Sequence, residues 1–305
     1  NVTINVAGQT FRELVTVQGH YIAGNYTIQF LGTTADDVAA TTFTAAANPV
    51  GNGVLGYGTI TKVAAFGGVT AGMLLKIEGT GTGNGQVRVV HSTTADVITI
   101  TGRWATVPGT ASNTIRVYHP TADATGSDSG TDTTATRDYV FNVKAGQRGI
   151  KFKHLKLRRA KVAGIYVESG AAVDTAEECE IRDNTVAAAF TGHGIRTFNP
   201  GSTCAFVQYC FFTGNDTDCT AAGTSGIGKI QNNRMVAAVA TNIAASFGDI
   251  QGVAQNYMGQ AGVYAMNILK GSLCIMDDYN EIDGSVLDNI RVVMESILEV
   301  NQPDA

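Results

Sequence analysis

The stretch Ala176-Glu177-Glu178-Cys179-Glu180-Ile181 sets the frame of this chain, because it returns four more times. The later copies are Val207-Gln208-Tyr209-Cys210-Phe211-Phe212, Ile230-Gln231-Asn232-Asn233-Arg234-Met235, Val253-Ala254-Gln255-Asn256-Tyr257-Met258 and Asp277-Asp278-Tyr279-Asn280-Glu281-Ile282. The fourth place is always Cys or Asn (Cys179, Cys210, Asn233, Asn256, Asn280) and the sixth is always apolar. Successive fourth places stand 31, 23, 23 and 24 residues apart, and Phe152-Lys153-His154-Leu155-Lys156-Leu157 fits the frame one step earlier. A unit this short cannot bury a core of its own and has to stack on its neighbours. The spacing predicts a solenoid.

The residues between the marks decide which kind. Gly164-Ile165-Tyr166-Val167, Gly194-Ile195-Arg196-Thr197 and Gly262-Val263-Tyr264-Ala265 read as glycine turns feeding short strands with apolar residues at every second place. No stretch sustains helical spacing for ten residues, and the units lack the leucines of a leucine-rich repeat. The expected fold is all-β, a right-handed parallel β-helix. In such a coil the Cys/Asn column points inward at a corner. Stacked asparagines can bond from coil to coil, and stacked thiols pack as small apolar groups.

Composition narrows the function. Charged residues are 15% of the 305, glycines number 36, prolines 5, and the net charge is −5. That balance gives no electrostatic footprint for nucleic acid. The five cysteines read as free buried thiols, which suits assembly in a reducing cytoplasm. With no run of 18 apolar residues and no charged-then-apolar start, the expectation is a soluble protein with neither membrane span nor export signal.

The opening strands Val2-Thr3-Ile4-Asn5-Val6-Ala7-Gly8 and Tyr26-Thr27-Ile28-Gln29-Phe30-Leu31-Gly32 resemble the first coil of bacteriophage β-helix proteins. Gly164-Ile165-Tyr166-Val167 with Glu178-Cys179-Glu180-Ile181-Arg182-Asp183-Asn184 resembles the repeats of pectate-lyase-like folds. The resemblance covers residues 1–32 and 140–284 and speaks to fold far more than to activity.

Residues 66–118 break the period. Gly72-Met73-Leu74-Leu75-Lys76-Ile77-Glu78-Gly79, Gln86-Val87-Arg88-Val89-Val90, Asp96-Val97-Ile98-Thr99-Ile100 and Thr114-Ile115-Arg116-Val117-Tyr118 read as four strands with a turn at Asn84-Gly85. They predict a small antiparallel β module, and it resembles modules inserted into phage tail and virion proteins. The expected division is a first coil and extended loop over 1–65, the module over 66–120, a mobile linker over 121–137, and regular coils with a cap over 138–305. Beyond Gly284, Asn289-Ile290-Arg291-Val292 repeats the coil-opening pattern. Strands of a last coil are therefore expected there in preference to a capping helix.

Candidate chemistry is sparse. Glu178 and Glu180, with Glu177 and Asp183, form one acidic cluster, and Asp277, Asp278, Glu281 and Asp283 form another. Paired carboxylates would suit glycosidic cleavage; outward carboxylates are equally ordinary solvated surface. Tyr209, Phe211, Tyr257 and Tyr279 share the outward columns, as a subunit interface or a platform for sugar rings. Lys151, Lys153 and Lys156, from the basic run 151–161, form a candidate docking stripe for an acidic partner. His193 with Arg196 reads as an exposed loop pair. No metal set, phosphate loop or cofactor motif is present.

The reading reached is a structural virion protein of a tailed bacteriophage, assembled in the host cytoplasm. It would be a non-enzymatic capsid decoration or tail-associated protein, packing as a homotrimer against capsid or tail proteins. The competing reading is a tailspike that binds and depolymerises bacterial surface polysaccharide.

Overall fold

The computed structural model describes residues 1–18, 27–47, 57–127, 135–185, 192–277, 280–293 and 295–301. All the regular structure in them is β-strand, and no helix among the described residues is long and apolar enough to cross a membrane. Three parallel sheets of nine, eight and eight strands run the length of a solenoid, and a seven-stranded antiparallel sheet stands beside it. The fold is an all-β parallel β-helix with an inserted antiparallel module.

Each turn contributes one strand to each sheet. The turn holding the first mark runs through Ala172–Glu177, Glu180–Arg182 and His193–Phe198; the next runs through Thr203–Gln208, Phe211–Thr213 and Thr217–Ala222. The sixth place of the mark forms one interior column of the second sheet, Leu157, Ile181, Phe212, Met235, Met258 and Ile282. The first place forms another in the first sheet, Phe152, Ala176, Val207, Ile230 and Val253. Ile165, Ile195, Cys219, Ile243, Met266 and Ile290 line the third. These columns merge into one continuous apolar core. Each fully buried large side chain contributes roughly 1.5–3 kcal/mol. All five cysteines are buried and unpaired.

The third place of the mark makes the corner between the first and second sheets. His154, Glu178, Tyr209, Asn232 and Gln255 all hold φ between +53° and +56°, which costs a non-glycine residue about 1 kcal/mol or more. The bend is offset by bonds to the next coil: the amides of Glu178, Tyr209 and Asn232 donate to the carbonyls of Gln208, Gln231 and Ala254. Gly164 and Gly194 are not turn residues, contrary to the sequence reading. They lie inside the strands Ala163–Val167 and His193–Phe198, where a Cβ would stand 2.9 Å from the Gly194 carbonyl and 2.6 Å from the Asp218 carbonyl. Close stacking of backbones selects them.

The module begins earlier than its large apolar residues suggest. Its strand order is Thr34–Thr41, Asn113–Pro120, Leu74–Gly79, Val87–Thr93, Val97–Ile100, Gly58–Thr61, Thr44–Ala47. Residues 34–47 and 58–61 thus belong to the sheet rather than to an extended loop, pairing through backbone bonds that need no bulky side chains. The insertion falls within the second turn, between Ile28–Gly32 and Ala122–Thr125. Its two stems touch, Thr121 N to Thr33 O at 2.9 Å and the two hydroxyls at 2.8 Å, so the solenoid path continues almost unbroken. Ala122–Thr125 is a strand of the second sheet paired with Leu155–Arg158, so the sequence-expected linker is in part coil; residues 128–134 lie outside the described ones.

At the other end, Asp288–Val293 pairs with Tyr264–Leu269 and Ile297–Val300 with Leu273–Met276. The tail forms coil strands.

Candidate functional site

Adjacent residues on the central module strands face opposite ways. Leu75, Val90 and Val117 enter the module core, whereas Leu74, Val89 and Tyr118 face the solenoid and pack with Tyr209 and Phe211. The module therefore lies over the outward face of the second sheet and covers the aromatic column that the sequence left exposed. Tyr257 is also buried there, its ring 4.6 Å from His91, which stacks on Tyr57 at 4.7 Å. Tyr279 lies outside the described residues.

One end of this seam is a polar clasp. The Tyr118 hydroxyl donates to Glu178 Oε2, His154 Nε2 lies 2.7 Å from the same oxygen, and Lys153 Nζ stands 2.7 Å from Oε1. Glu178 is 5% exposed. Burial pushes its carboxyl up, but the bond from His154, the charge and bond of Lys153 and the bond from Tyr118 outweigh that and hold it lowered to about 2. The Tyr118 phenol is raised, by burial first and then by the neighbouring carboxylate. Lys153 also binds Glu177 at 3.1 Å, and Lys156 meets Glu180 at 3.4 Å. Two lysines of the expected docking stripe are therefore spent inside the molecule, while Lys151 remains partly exposed.

Glu180 opens onto a cleft of about 230 Å³ between module and solenoid, with Gly72, Met73, His119, Arg182 and Phe211. Arg182 holds Glu180 at 3.2 Å and Asp183 at 2.7 Å, and Asp37 holds His119 at 2.7 Å. The carboxylate that lines this cleft, Glu180, is thus already paired with Lys156 and Arg182. Gly72, at φ +94°, lets the loop rest on Phe211; a Cβ there would stand 2.5 Å from the ring. Gly72→Ala is expected to lower stability by about 1–3 kcal/mol through this overlap, read in a denaturant melt. An unchanged midpoint would mean the loop does not rest on the ring.

Farther along the second sheet, Arg234 lies between the Phe211 and Tyr257 rings at 5.5 and 5.6 Å. Burial lowers its pKa, and burial followed by the charge of Asp283 raises Glu281 to about 7. His91 is lowered to about 4 by burial and then by Arg234.

The ladder residues sit in the corner after the first sheet. Asn233 Oδ1 accepts the Cys210 amide, Asn256 Oδ1 accepts both the amide and Nδ2 of Asn233, and Asn280 Oδ1 accepts both from Asn256, all at 2.8–3.1 Å. Cys179 and Cys210 continue the column as buried thiols. His193, expected to be exposed, is buried with Nδ1 2.8 Å from the Thr220 hydroxyl, and its imidazole is lowered to about 3 by burial and then by Arg196.

A second surface was not legible as a site. On the outward face of the first sheet a groove of about 520 Å³ is lined by Ala205, Phe206, Gly228, Lys229, Gln251 and Asp277. Ala205 and Gly228 raise no long side chain into it, and Phe206 stands 43% exposed at its side.

No family model matches the chain. No curated protein matches it either. Among solved structures it is similar to the tailspike protein gp49 from Pseudomonas phage LKA1, at 10% identity and TM-score 0.29, over 92% of this chain and 54% of that one. A glycoside hydrolase is similar at 10% identity and TM-score 0.32, over 99% and 89%. The Gp54 tailspike of Acinetobacter baumannii bacteriophage AP22, in complex with A. baumannii capsular saccharide, is similar at 11% identity and TM-score 0.25, over 97% and 71%. This chain spans about half the length of the first. Likenesses this distant lend it no activity, ligand or assembly.

Proposed function

We propose that this chain is a structural, non-enzymatic protein of a tailed bacteriophage, tail-associated and homotrimeric, that holds bacterial surface polysaccharide without cutting it. The observation that carries the non-enzymatic part is the state of Glu178 and Glu180, the pair the sequence offered as catalytic. In the second cluster Glu281, raised to about 7 by burial and Asp283, is the remaining candidate acid and is included in the test. A glycosidase acid must be protonated near neutral pH and must reach the glycosidic oxygen. Glu178 is buried under the module and lowered to about 2, and Glu180 is bound to Lys156 and Arg182. The virion setting rests on the resemblance carried by residues 1–32 and 140–284.

The first-sheet groove supports the holding role. Phe206 offers a ring against which a sugar face can stack, and Lys229, Gln251 and Asp277 offer donors and acceptors for hydroxyls. The test pairs binding with turnover on purified capsular or lipopolysaccharide glycans. Retained glycan with no oligosaccharide released is expected, and Phe206→Ala should weaken retention about tenfold. Any oligosaccharide release would overturn the non-enzymatic reading, and its loss in Glu180→Gln or Glu281→Gln would locate the acid. Quantitative mass spectrometry of purified particles tests the setting: a few to a few dozen copies per particle are expected. Hundreds would move the protein to capsid decoration, and absence would remove it from the virion.

A further inference from the structure

The corner between the second and third sheets holds a second amide ladder, and it contains one acid. Asn184 Oδ1 accepts the Ala160 amide, and Asn215 Oδ1 accepts from the amide and Nδ2 of Asn184. Asn215 Nδ2 then donates to the Ile181 carbonyl and to Asp218 Oδ1, both at 2.9 Å, and Asn242 Nδ2 donates to Asp218 Oδ2 at 2.8 Å. Asp218 is fully buried. Its strand neighbours in the third sheet are Gly194, with no side chain, and Asn242.

The groups acting on Asp218 are the two amides and burial itself; no cation among the described residues contributes. The titratable groups around it offer no counter-charge. Cys219, next on the strand, is a buried thiol raised by burial and then by Asp218. Asp216, two residues earlier, accepts the Gly192 amide at 2.8 Å. His193 on the preceding coil is held neutral and bound to Thr220. An isolated carboxylate in such surroundings is costly, and a neutral acid is the ordinary escape. Asn242 Oδ1 is buried and receives no hydrogen bond, so nothing on that side of the amide fixes its orientation. Turning that amide over exchanges two atoms of like shape and presents Oδ1 to Asp218 as an acceptor.

We infer that Asp218 is carried as a neutral carboxylic acid that donates its proton to Asn242 Oδ1, so that a proton locks the strand Thr217–Ala222 to Thr241–Ser246 of the next coil. No bond is made or broken beyond the O–H that titrates. Burial raises the folded pKa from 3.8 to about 7, so the contribution is complete below the unfolded value and is lost as pH rises through the folded one. The lock therefore loosens toward alkaline pH, in the direction opposite to acid unfolding.

Two measurements on the full chain test this. Between about pH 4 and 7 one extra bound proton changes the unfolding constant about tenfold per pH unit. Asp218→Asn keeps the shape and should remove that slope, gaining stability over the wild type as pH rises. Identical slopes in the two proteins would overturn the inference. Infrared spectroscopy of the wild type gives a readout that needs no folded Asp218 variant. At pH 6 a protonated-carboxyl stretch from a slowly exchanging buried group is expected. It should persist in Glu281→Gln, which removes the other carboxyl raised among the described residues. Loss of the band in Glu281→Gln, or its absence from the wild type, would overturn the inference.

Discussion

Replacing Glu178 with Leu is expected to lower stability by about 3–5 kcal/mol and to release the module from the solenoid. The cost arises from what remains. Lys153, whose pKa the pair holds raised against burial, would keep its charge with only Glu177 beside it, and the Tyr118 hydroxyl would lose its acceptor in a buried seam. Breaking one side of a buried pair typically costs this much, because the partner is left uncompensated. Limited proteolysis should then cut between Thr34 and Thr121 at concentrations that leave the wild type whole. Glu178→Gln, which keeps the shape and an acceptor oxygen, should lose less. The same contact sets an acid limit. The carboxyl is depressed to about 2 in the folded chain, so its contribution is complete above the unfolded value near 4.3 and is lost as pH falls toward 2. That span corresponds to about 3 kcal/mol at about 1.4 kcal/mol per pH unit. The wild type should lose stability over that window, and Glu178→Leu should lose less by the Glu178 share, Glu168 being lowered against burial by Lys144 and Asn142 in both. If Glu178→Leu melts at the wild-type midpoint and resists protease equally, the clasp does not hold the module.

The solenoid was legible because its signal repeats. A sixth place that is always apolar can only be an interior column, and a fourth place limited to Cys and Asn can only be a tight buried corner. The third place carried no such signal. His154, Glu178, Tyr209, Asn232 and Gln255 share a backbone angle and not a chemistry, since the bend is imposed by bonds to the next coil. Read as outward positions, these residues looked like surface, and what covers them is 60 residues away in sequence for Tyr118 and Glu178. One clue lay in the module itself. Leu74-Leu75, Val89-Val90 and Val117-Tyr118 place large side chains on both faces of their strands. A sheet apolar on both faces needs a second partner, and here the solenoid is that partner. The second amide ladder escaped for another reason. Asn184 and Asn215 are 31 residues apart, Asp218 follows three later and Asn242 24 after that, so no single spacing reports the column.

The first ladder makes a graded prediction. Asn256 is buried and uses its whole amide: Oδ1 accepts twice from Asn233, and Nδ2 donates to the Ile230 carbonyl at 2.8 Å and to Asn280 Oδ1 at 3.0 Å. Leucine has similar bulk and none of these atoms. Asn256→Leu strands the Asn233 amide and takes one of two acceptors from Asn233 Nδ2, which keeps the Val207 carbonyl. It also takes a donor from the Ile230 carbonyl and from Asn280 Oδ1, which keeps the backbone amide of residue 256, all in a corner closed to water. Each stranded group costs about 1–3 kcal/mol, with some relieved by local adjustment, so a loss of about 3–6 kcal/mol is expected in denaturant melts. The loss should shrink along the column. Asn280 is only part-buried, so Asn280→Leu leaves its partners nearer to water and should cost less. At the other end the thiol of Cys179 donates to the Glu177 carbonyl at 3.2 Å and meets the Cys210 thiol, and Cys179→Ala removes one small apolar group at about 1–2 kcal/mol. That order, Asn256 above Asn280 above Cys179, separates a hydrogen-bonded ladder from simple packing. Packing alone would make the two leucine variants, which keep the bulk, milder than Cys179→Ala, and finding them so would show that the corner is held by contact rather than by amides.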